Sequence, residues 1–271
     1  MRPIARMGRS QKPCKERSSA ERQTPNAERE PVSFLGVTFA GVDETADVEM
    51  LREIRSHYFT VEWGLRLAVE HQGRAPGFPG VAWIRKLRPE LNLSAQLWGK
   101  NATDFLHGDD TELMVHYGEA WSLFQRIQIN STNGIDRVDL PALTRLLEKY
   151  PDKQVILRIR DLNLELADAL VAQGVSCSTL FDQSEAPEGA QKRWPKGLKR
   201  FAGCGYAGGL GPDNIYKQLS PILNAAQGAE RWWVEMDSSL RTTQHEQDVF
   251  SLANCKRAIR EFDSFFLDYT I

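Results

Sequence analysis

The sequence has no apolar run long enough to cross a bilayer, because a membrane-spanning helix needs roughly 20 consecutive apolar residues. Its longest apolar runs are only as long as a strand. The first residues also lack the apolar core of a signal peptide. We therefore expect a cytoplasmic protein that has no membrane partner.

Cysteine is scarce, and neither sign of charge is in large excess. The four cysteines form no C-x-x-C pair and have no histidine at zinc-site spacing. We predict reduced thiols in these positions and expect neither a metal nor another cofactor. The net charge of −2 lacks the basic excess that is typical of proteins that bind nucleic acid. No nucleic-acid partner is therefore expected.

The rest of the composition is that of a globular chain. Its 271 residues, of which 41% are hydrophobic, suffice for one α/β barrel of about 250 residues or for two small domains. Residues 1–31 differ, since they are rich in Arg, Lys, Glu, Ser, Gln and Pro. Such a segment cannot bury enough surface to offset its ordering entropy. We predict a disordered tail over residues 1–31 and one domain over residues 32–271.

From residue 32 onward, short apolar runs alternate with amphipathic ones. The pattern predicts eight strands, at 33–39, 58–65, 91–97, 126–130, 154–160, 175–182, 200–206 and 231–236. Helices are predicted at 44–56, 81–87, 111–124, 140–149, 163–173, 212–225 and 252–266, and 183–198 is at best a short helix. Strict alternation of this kind favours parallel strands joined by crossover helices. Eight such units predict a single (β/α)8 barrel, whose ligands bind at the carboxyl ends of the strands.

Two segments near the end of the chain have the features of anion sites. The segment 205–215 joins a strand end to a helix start through Gly208 and Gly209, which allow a tight turn and a close approach to a ligand. About thirty residues later, another apolar strand opens into Ser238 and Ser239. Consecutive anion sites after the last two strands are the usual phosphate-binding arrangement of a (β/α)8 barrel. We predict that these two glycines and two serines bind a phosphate group.

Carboxylates, amides and arginines recur where the other strands are predicted to end. Their convergence suits an anionic ligand and acid–base chemistry. Asp182 stands out because it directly follows the apolar strand 178–181. A strand-end lysine and a histidine pair are both lacking, which disfavours an aldolase or a metal-dependent epimerase. The candidates are Thr38, Glu62, Arg66, Gln96, Gln128, Asn130, Arg158, Arg160, Asp182, Tyr206, Glu235, Asp237 and Arg241.

Taken together, these segments resemble phosphoribosylanthranilate isomerase, the barrel enzyme of tryptophan biosynthesis. The strongest match is 207–214, Ala-Gly-Gly-Leu-Gly-Pro-Asp-Asn, which is similar to the family's Ala-Gly-Gly-Leu-Thr-Pro-Glu-Asn. The segment 34–38, Phe-Leu-Gly-Val-Thr, resembles the family's opening Lys-Ile-Cys-Gly-Leu/Val-Thr. The other matching segments, in the same order as in the family, are 128–130, 180–182 and 233–242 followed by 250–252.

The resemblance implies an Amadori rearrangement, in which an aminoaldose phosphate opens and becomes an aminoketose. The family uses an aspartate as general acid, which matches Asp182, and a cysteine as general base, which matches Leu35. Because leucine takes no proton, another residue has to act as base, and Glu62 is the candidate. The arginine that binds the substrate carboxylate is either Arg66 or Arg74.

Four further residues are predicted to contact the substrate: Gln128, Asn130, Arg158 and Glu235. Asn130 stands where the family has histidine, and Glu235 where it has aspartate. Two hypotheses follow, an isomerase-like enzyme with an unfamiliar base, or a non-catalytic descendant that binds a phosphorylated metabolite or a protein partner. In both cases a phosphorylated small molecule is the expected ligand of the barrel, and the protein is expected to be a monomer or a homodimer.

Overall fold

The computed structural model describes residues 32–130, 138–160, 163–185 and 193–269. Eight parallel strands form a closed barrel in the order of the sequence, so the predicted (β/α)8 fold is confirmed. The predicted tail, residues 1–31, lies outside the described residues. The strands are β1 (Ser33–Ala40), β2 (Val61–Leu67), β3 (Leu93–Leu97), β4 (Phe124–Ile129), β5 (Gln154–Ile159), β6 (Cys177–Asp182), β7 (Cys204–Ala207) and β8 (Arg231–Met236).

Helices surround the barrel, and a small hairpin follows its last strand. None of the described helices combines the length and the apolar character that a membrane crossing requires. Short 3-10 turns lie at Pro89–Leu91, Gly118–Leu123 and Ser238–Leu240, and the hairpin consists of β9 (Arg241–Gln244) and β10 (Gln247–Phe250). The helices are α1 (Val48–His57), α2 (Val81–Ile84), α3 (Gly99–Leu106), α4 (Thr111–Tyr117), α5 (Leu140–Leu147), α6 (Glu165–Ala172), α7 (Ile215–Ala226) and α8 (Leu252–Tyr269).

Local sequence signals explain where several helices begin. The side chain of Asp47 accepts a hydrogen bond from the Met50 N–H at 2.9 Å, which caps the amino end of α1. Asp139 caps α5 in the same way, through the Ala142 N–H at 2.9 Å. Each of these helices then packs its buried aliphatic face against the barrel.

The core has two parts. Most apolar side chains fill the layer between the strands and the helices. A smaller apolar cluster, made of Ile156, Leu180, Ala207 and Trp233 with Leu35 packed against it, is separate from that layer and lies inside the barrel. The remaining interior positions are unusually polar, and they include Gln96, Gln128 and Glu235.

Several element boundaries differ from the predicted ones. Helix α3 and the β9–β10 hairpin were not predicted, and helix α4 ends at Tyr117 because a 3-10 turn replaces the predicted continuation. Residues 186–192 lie outside the described residues, and the described parts of 183–198 contain no helix. Strand β2 begins at Val61 instead of residue 58, because the Tyr58 N–H still bonds to the Ile54 carbonyl and ends α1.

Candidate active site at the carboxyl ends of the barrel strands

The glycine turn after β7 packs against the loop after β6. Gly208 has φ +109° and Gly209 has φ +59°, both in the region that favours glycine. A Cβ atom on Gly208 would lie 2.4 Å from the Gln183 carbonyl carbon and 2.5 Å from the Ser184 nitrogen. Only glycine fits at this position. Because glycine has no side chain, the turn can pack directly against the residues that follow Asp182.

The turn is also joined to the loop after β8. Asn214 accepts a hydrogen bond from the Gly211 N–H at 3.0 Å and donates one to the Gly209 carbonyl at 2.8 Å. A Cβ atom on Gly211 would lie 2.5 Å from Cβ of Ser239, whose hydroxyl donates to the Leu210 carbonyl at 2.7 Å. The two loops predicted to bind phosphate are therefore neighbours held in one arrangement.

These loops present free donors. Among the described residues, the backbone N–H groups of Gly209, Ser238 and Ser239 have no acceptor. Ser238 is exposed, whereas the Ser239 hydroxyl is already used within the protein. Three unpaired N–H groups on adjoining loops are the arrangement that an anion would satisfy.

Asp182 lies at the end of β6 and is buried. Its Oδ2 accepts a hydrogen bond from Nε of Arg158 at 2.5 Å, and its Oδ1 accepts one from the Ser184 N–H at 2.8 Å. A guanidinium and a backbone amide together stabilise a negative charge on the carboxyl group. The structure therefore brings two predicted site residues, Asp182 and Arg158, into direct contact.

A second ion pair crosses the mouth of the barrel, between Arg66 of β2 and Asp237 after β8. The Trp98 ring lies between the two site arginines, with its centroid 5.4 Å from the Arg66 guanidinium carbon and 5.0 Å from that of Arg158. Trp98 was not among the sequence candidates. Its signal in the sequence is its place directly after the third strand, where an aromatic side chain faces the same opening.

An amide network lies deeper in the barrel. Nε2 of Gln128 donates to Oε1 of Glu235 and to Oδ1 of Asn130, each at 3.1 Å. All three side chains are buried. Unpaired polar atoms remain beside them, since Oε2 of Glu235 and Nδ2 of Asn130 have no partner among the described residues. The structure thus brings together the three residues predicted from strands four and eight.

Glu235 is the carboxyl group whose proton affinity changes most in this part of the molecule. Burial, together with the nearby charges of Asp237, Glu62 and Asp182, raises its pKa to about 8, and burial is the largest of these causes. The hydrogen bond from Gln128 acts against this rise. At neutral pH the group therefore keeps a proton, which makes it a carboxylic acid inside the barrel.

Glu62 does not lie where the sequence placed it. It is the second residue of β2 and therefore lies near the amino end of the barrel, where it accepts hydrogen bonds from Thr38 at 2.8 Å and from Arg126 at 3.1 Å. The prediction of a strand-end position was wrong because β2 begins at Val61. Glu62 accordingly does not share the mouth of the barrel with Asp182.

Leu35 also lies away from the mouth. It is the third residue of β1 and packs on the apolar cluster inside the barrel. Its neighbour Gly36 is required by packing, since a Cβ atom there would meet the Thr60 carbonyl oxygen at 1.8 Å. The dipeptide at the carboxyl end of β1 is instead Ala40–Gly41, with φ +76° at Gly41. Ala40, like Leu35, has no group that takes a proton.

The two arginines that the sequence left open have different surroundings. Arg66 is largely buried in the mouth, whereas Arg74 is exposed on the loop after β2. A third arginine, Arg241, closes the seam between the first and last strands. It donates to the Gly41 carbonyl at 2.9 Å and to Oδ2 of Asp43 at 2.8 Å.

The remaining candidates have structural partners. Gln96 lies inside the barrel against Gly64, and Arg160 pairs with Glu185 beside the mouth. Tyr206 packs in the outer core and donates to the Pro195 carbonyl at 3.0 Å. Within the described residues, no cluster of three or more His, Cys, Asp or Glu side chains has the arrangement of a metal site.

Comparisons with known proteins agree on the fold. No protein-family model and no curated protein matches this chain. Among solved structures, it is similar to TrpF from Jonesia denitrificans, with 14% identity, a TM-score of 0.53, and coverage of 85% of this chain and 98% of that one. Monomers made from the dimeric phosphoribosylanthranilate isomerase of Thermotoga maritima show 13% identity, a TM-score of 0.50, and coverage of 84% and 98%.

A barrel of different chemistry is equally similar. The phospho-2-dehydro-3-deoxyheptonate aldolase of Thermotoga maritima has 13% identity and a TM-score of 0.51, over 87% of this chain and 69% of that one. Likeness at this level of identity shows the barrel fold alone, since one barrel fold serves many reactions. The function has to be argued from the residues of the site.

Proposed function

We propose that this chain is a phosphoribosylanthranilate isomerase-like protein, which binds a phosphorylated sugar derivative at the carboxyl ends of its strands and catalyses an aldose–ketose isomerisation. The observation that carries the proposal is the pair of joined loops after β7 and β8. Their free N–H groups at Gly209, Ser238 and Ser239 provide donors for a phosphate group. The barrels of this class bind phosphate with the same two loops.

The surrounding side chains support the rest of the ligand. Arg66 and Arg158 supply positive charge beside the mouth, and Trp98 offers an aromatic face between them. Asp182 and Glu235 are two carboxyl groups in different surroundings, which is what a reaction with one proton donor and one proton acceptor requires. Gln128 and Asn130 supply the amide groups that would contact sugar hydroxyls.

A second candidate function follows from β1. Neither Leu35 nor Ala40 takes a proton, so the strand that provides the family's base provides none here. A non-catalytic descendant that binds a phosphorylated metabolite is therefore the alternative. It shares the phosphate loops with the first candidate and differs from it only in turnover.

A thermal-shift titration with phosphate, sulfate and a reduced phosphoribosylanthranilate analogue tests the binding site. A ligand that binds only the folded state raises the unfolding midpoint. Ser238→Asp puts a negative charge beside the free N–H groups, so it should abolish the shift. Ser176→Asp adds the same charge on an exposed residue just before β6, at the opposite end of the barrel, and should leave the shift intact.

The outcomes separate the two candidates. A larger shift with the analogue than with phosphate, followed by turnover that Asp182→Asn removes, supports the isomerase. A shift with phosphate but no turnover supports the binding protein. An equal loss of the shift in both serine variants, or no shift in the unmodified protein, would contradict a phosphate site in these loops.

A further inference from the structure

The two carboxyl groups of the site have opposite hydrogen-bonding states. Both oxygens of Asp182 accept hydrogen bonds, one from the Arg158 guanidinium and one from the Ser184 N–H. All of its partners are donors, and one carries a positive charge. Such a group is an ionised carboxylate, and a carboxylate in contact with substrate takes up a proton.

Glu235 has only half of its oxygens satisfied. Oε1 accepts from Gln128, whose orientation is fixed by its second hydrogen bond, to Asn130. Oε2 is buried and has no partner, and no cation pairs with Glu235 within the described residues. A buried carboxylate with an unpaired oxygen is costly, whereas a carboxylic acid carries its proton on that oxygen and needs only an acceptor.

We propose that Glu235 donates the proton and Asp182 accepts the proton in the aldose–ketose isomerisation. This inference rests on the proposed function and assigns the proton transfers within it. It reverses the role that the family resemblance implies for Asp182, and it supplies the second proton-transfer group that β1 does not provide. Glu235 lies on β8 itself, whereas Ser238 and Ser239 belong to the turn that follows the strand, so Glu235 lies deeper in the barrel than the loop proposed to bind phosphate.

The proton transfers balance over one turnover. The proton on Oε2 of Glu235 passes to the ring oxygen while the bond from that oxygen to C1′ breaks and the amine lone pair forms C1′=N. Asp182 then removes the proton from C2′, and the C–H electrons form C1′=C2′ as the C1′=N electrons return to nitrogen. The enol formed becomes the ketone when its hydroxyl proton leaves and C1′ gains a proton. Solvent takes the proton from Asp182 and returns one to Glu235.

Turnover of phosphoribosylanthranilate as a function of pH tests this assignment. For the unmodified protein, we expect kcat/KM to fall above about pH 8, where Glu235 ionises among the charges of Asp237, Glu62 and Asp182. Glu235→Gln preserves the shape and the Gln128 contact, and it should lower kcat by about 10²–10⁴-fold and remove the alkaline fall. Asp182→Asn should lower kcat to a similar extent and keep that fall.

The control is Asp168→Asn, a half-exposed residue of α6 paired with Arg200 outside the barrel mouth, which should keep both the rate and the pH profile. Full turnover in Glu235→Gln, or an alkaline fall that persists there, would overturn the assignment. Thermal unfolding of each variant shows whether a lost rate reflects a lost fold.

A spectroscopic measurement separates this inference from the proposed function. The infrared difference spectrum between the unmodified protein and Glu235→Gln at pH 6 should show the carbonyl band of a protonated carboxylic acid, and this band should disappear near pH 8. If phosphoribosylanthranilate is not turned over but the band is present, the isomerase proposal fails while Glu235 still holds its proton. If the band is absent, Glu235 is not the proton donor.

Discussion

The two ends of the barrel each contain a buried pair of an arginine and a carboxylate. At the carboxyl end, Arg158 pairs with Asp182, and at the amino end Arg126 pairs with Glu62. The amino-end pair lies beside a cavity of about 170 Å³, and the Arg126 guanidinium covers Trp233 at 4.2 Å. What differs is the set of loops around each pair.

At the carboxyl end, the neighbouring loops contain glycines in the left-handed region and free N–H groups. At the amino end, the contacts of Glu62 come from the strand residues Thr38 and Arg126. The same pair of side chains can therefore stabilise a barrel or line a site, and the backbone beside it decides which. Chemistry at one end and stability at the other is also the general division in such barrels.

The largest effect is expected where the amino-end pair is broken. Arg126→Met leaves Glu62 as a buried charge without its cation, so the free energy of unfolding should fall by about 3–5 kcal/mol. Urea denaturation measures this loss. The phosphate-induced shift of the folded protein should remain.

A double-mutant cycle provides the control for this prediction. Glu62→Gln in the Arg126→Met background removes the unpaired charge of Glu62 and should restore part of the lost stability. If the double variant is no more stable than Arg126→Met, the pair is not what stabilises this end of the barrel.

A smaller effect is expected in the dependence of stability on pH. Glu235 carries a proton in the folded and the unfolded protein below about pH 4.5, and in neither above about pH 8. Between these values only the folded protein holds the proton, so stability falls as pH rises, by about 1.4 kcal/mol for each pH unit. Between pH 5 and pH 7, the unmodified protein should therefore lose about 3 kcal/mol more than Glu235→Gln in urea denaturation.

The variant Glu62→Gln tests whether the dependence of stability on pH comes from Glu235 alone or also from the carboxyl group at the amino end of the barrel. Glu235 is intact in that variant, so most of the decline should remain. If the fall in stability with rising pH disappears in Glu62→Gln and persists in Glu235→Gln, then Glu62, and not Glu235, is the carboxyl group that causes it.

A still smaller effect is expected at the glycine turn after β7. Gly208 and Gly174 both have positive φ, at +109° and +82°, but only Gly208 has backbone atoms where a Cβ would go. Gly208→Ala should therefore lose about 1–3 kcal/mol more than Gly174→Ala, because overpacking adds to the backbone strain. Thermal unfolding of the two variants measures the difference, and equal losses would mean that the turn is not fixed by the loop after β6.

The smallest effect is expected at Trp98. Trp98→Leu removes two contacts with guanidinium groups, each of about 0.5–1 kcal/mol. The unfolding free energy should fall by about 1–2 kcal/mol in urea denaturation, and the shift caused by the phosphoribosylanthranilate analogue should shrink. A loss several times larger would identify Trp98 as a core residue instead of a residue of the mouth.

The sequence predicted the eight strands because each barrel strand is an apolar run between amphipathic segments. Gly208 and Gly209 marked a tight turn in advance, since their neighbours defined a strand before them and a helix after them. Asp182 could be placed because its strand ends where its apolar run ends. Each of these signals comes from residues that are close together in the sequence. They suffice to predict the barrel because strands that are consecutive in the sequence are also neighbours around it.

The sequence could not place Glu62, because a shift of a few residues in the start of a strand moves a side chain from one end of the barrel to the other. Leu35 was misplaced for a different reason, since the family motif was matched to residues 34–38, near the start of β1, and not to the end of that strand. Strand β2 begins three residues later than predicted, and β1 runs on to Ala40. The contacts of Trp98 and the network of Glu235 join strands that are far apart in the sequence. Only the closed barrel shows them.

The bonds from Arg241 to Gly41 and Asp43 join residues that lie 200 and 198 positions apart in the sequence. They cross the seam where the first strand meets the last, which is the pairing of highest contact order in the barrel. Folding reaches such a pairing late, because the chain must close its longest loop to form it. We therefore expect Arg241 to slow unfolding. Its replacement should raise the unfolding rate and leave the refolding rate nearly unchanged.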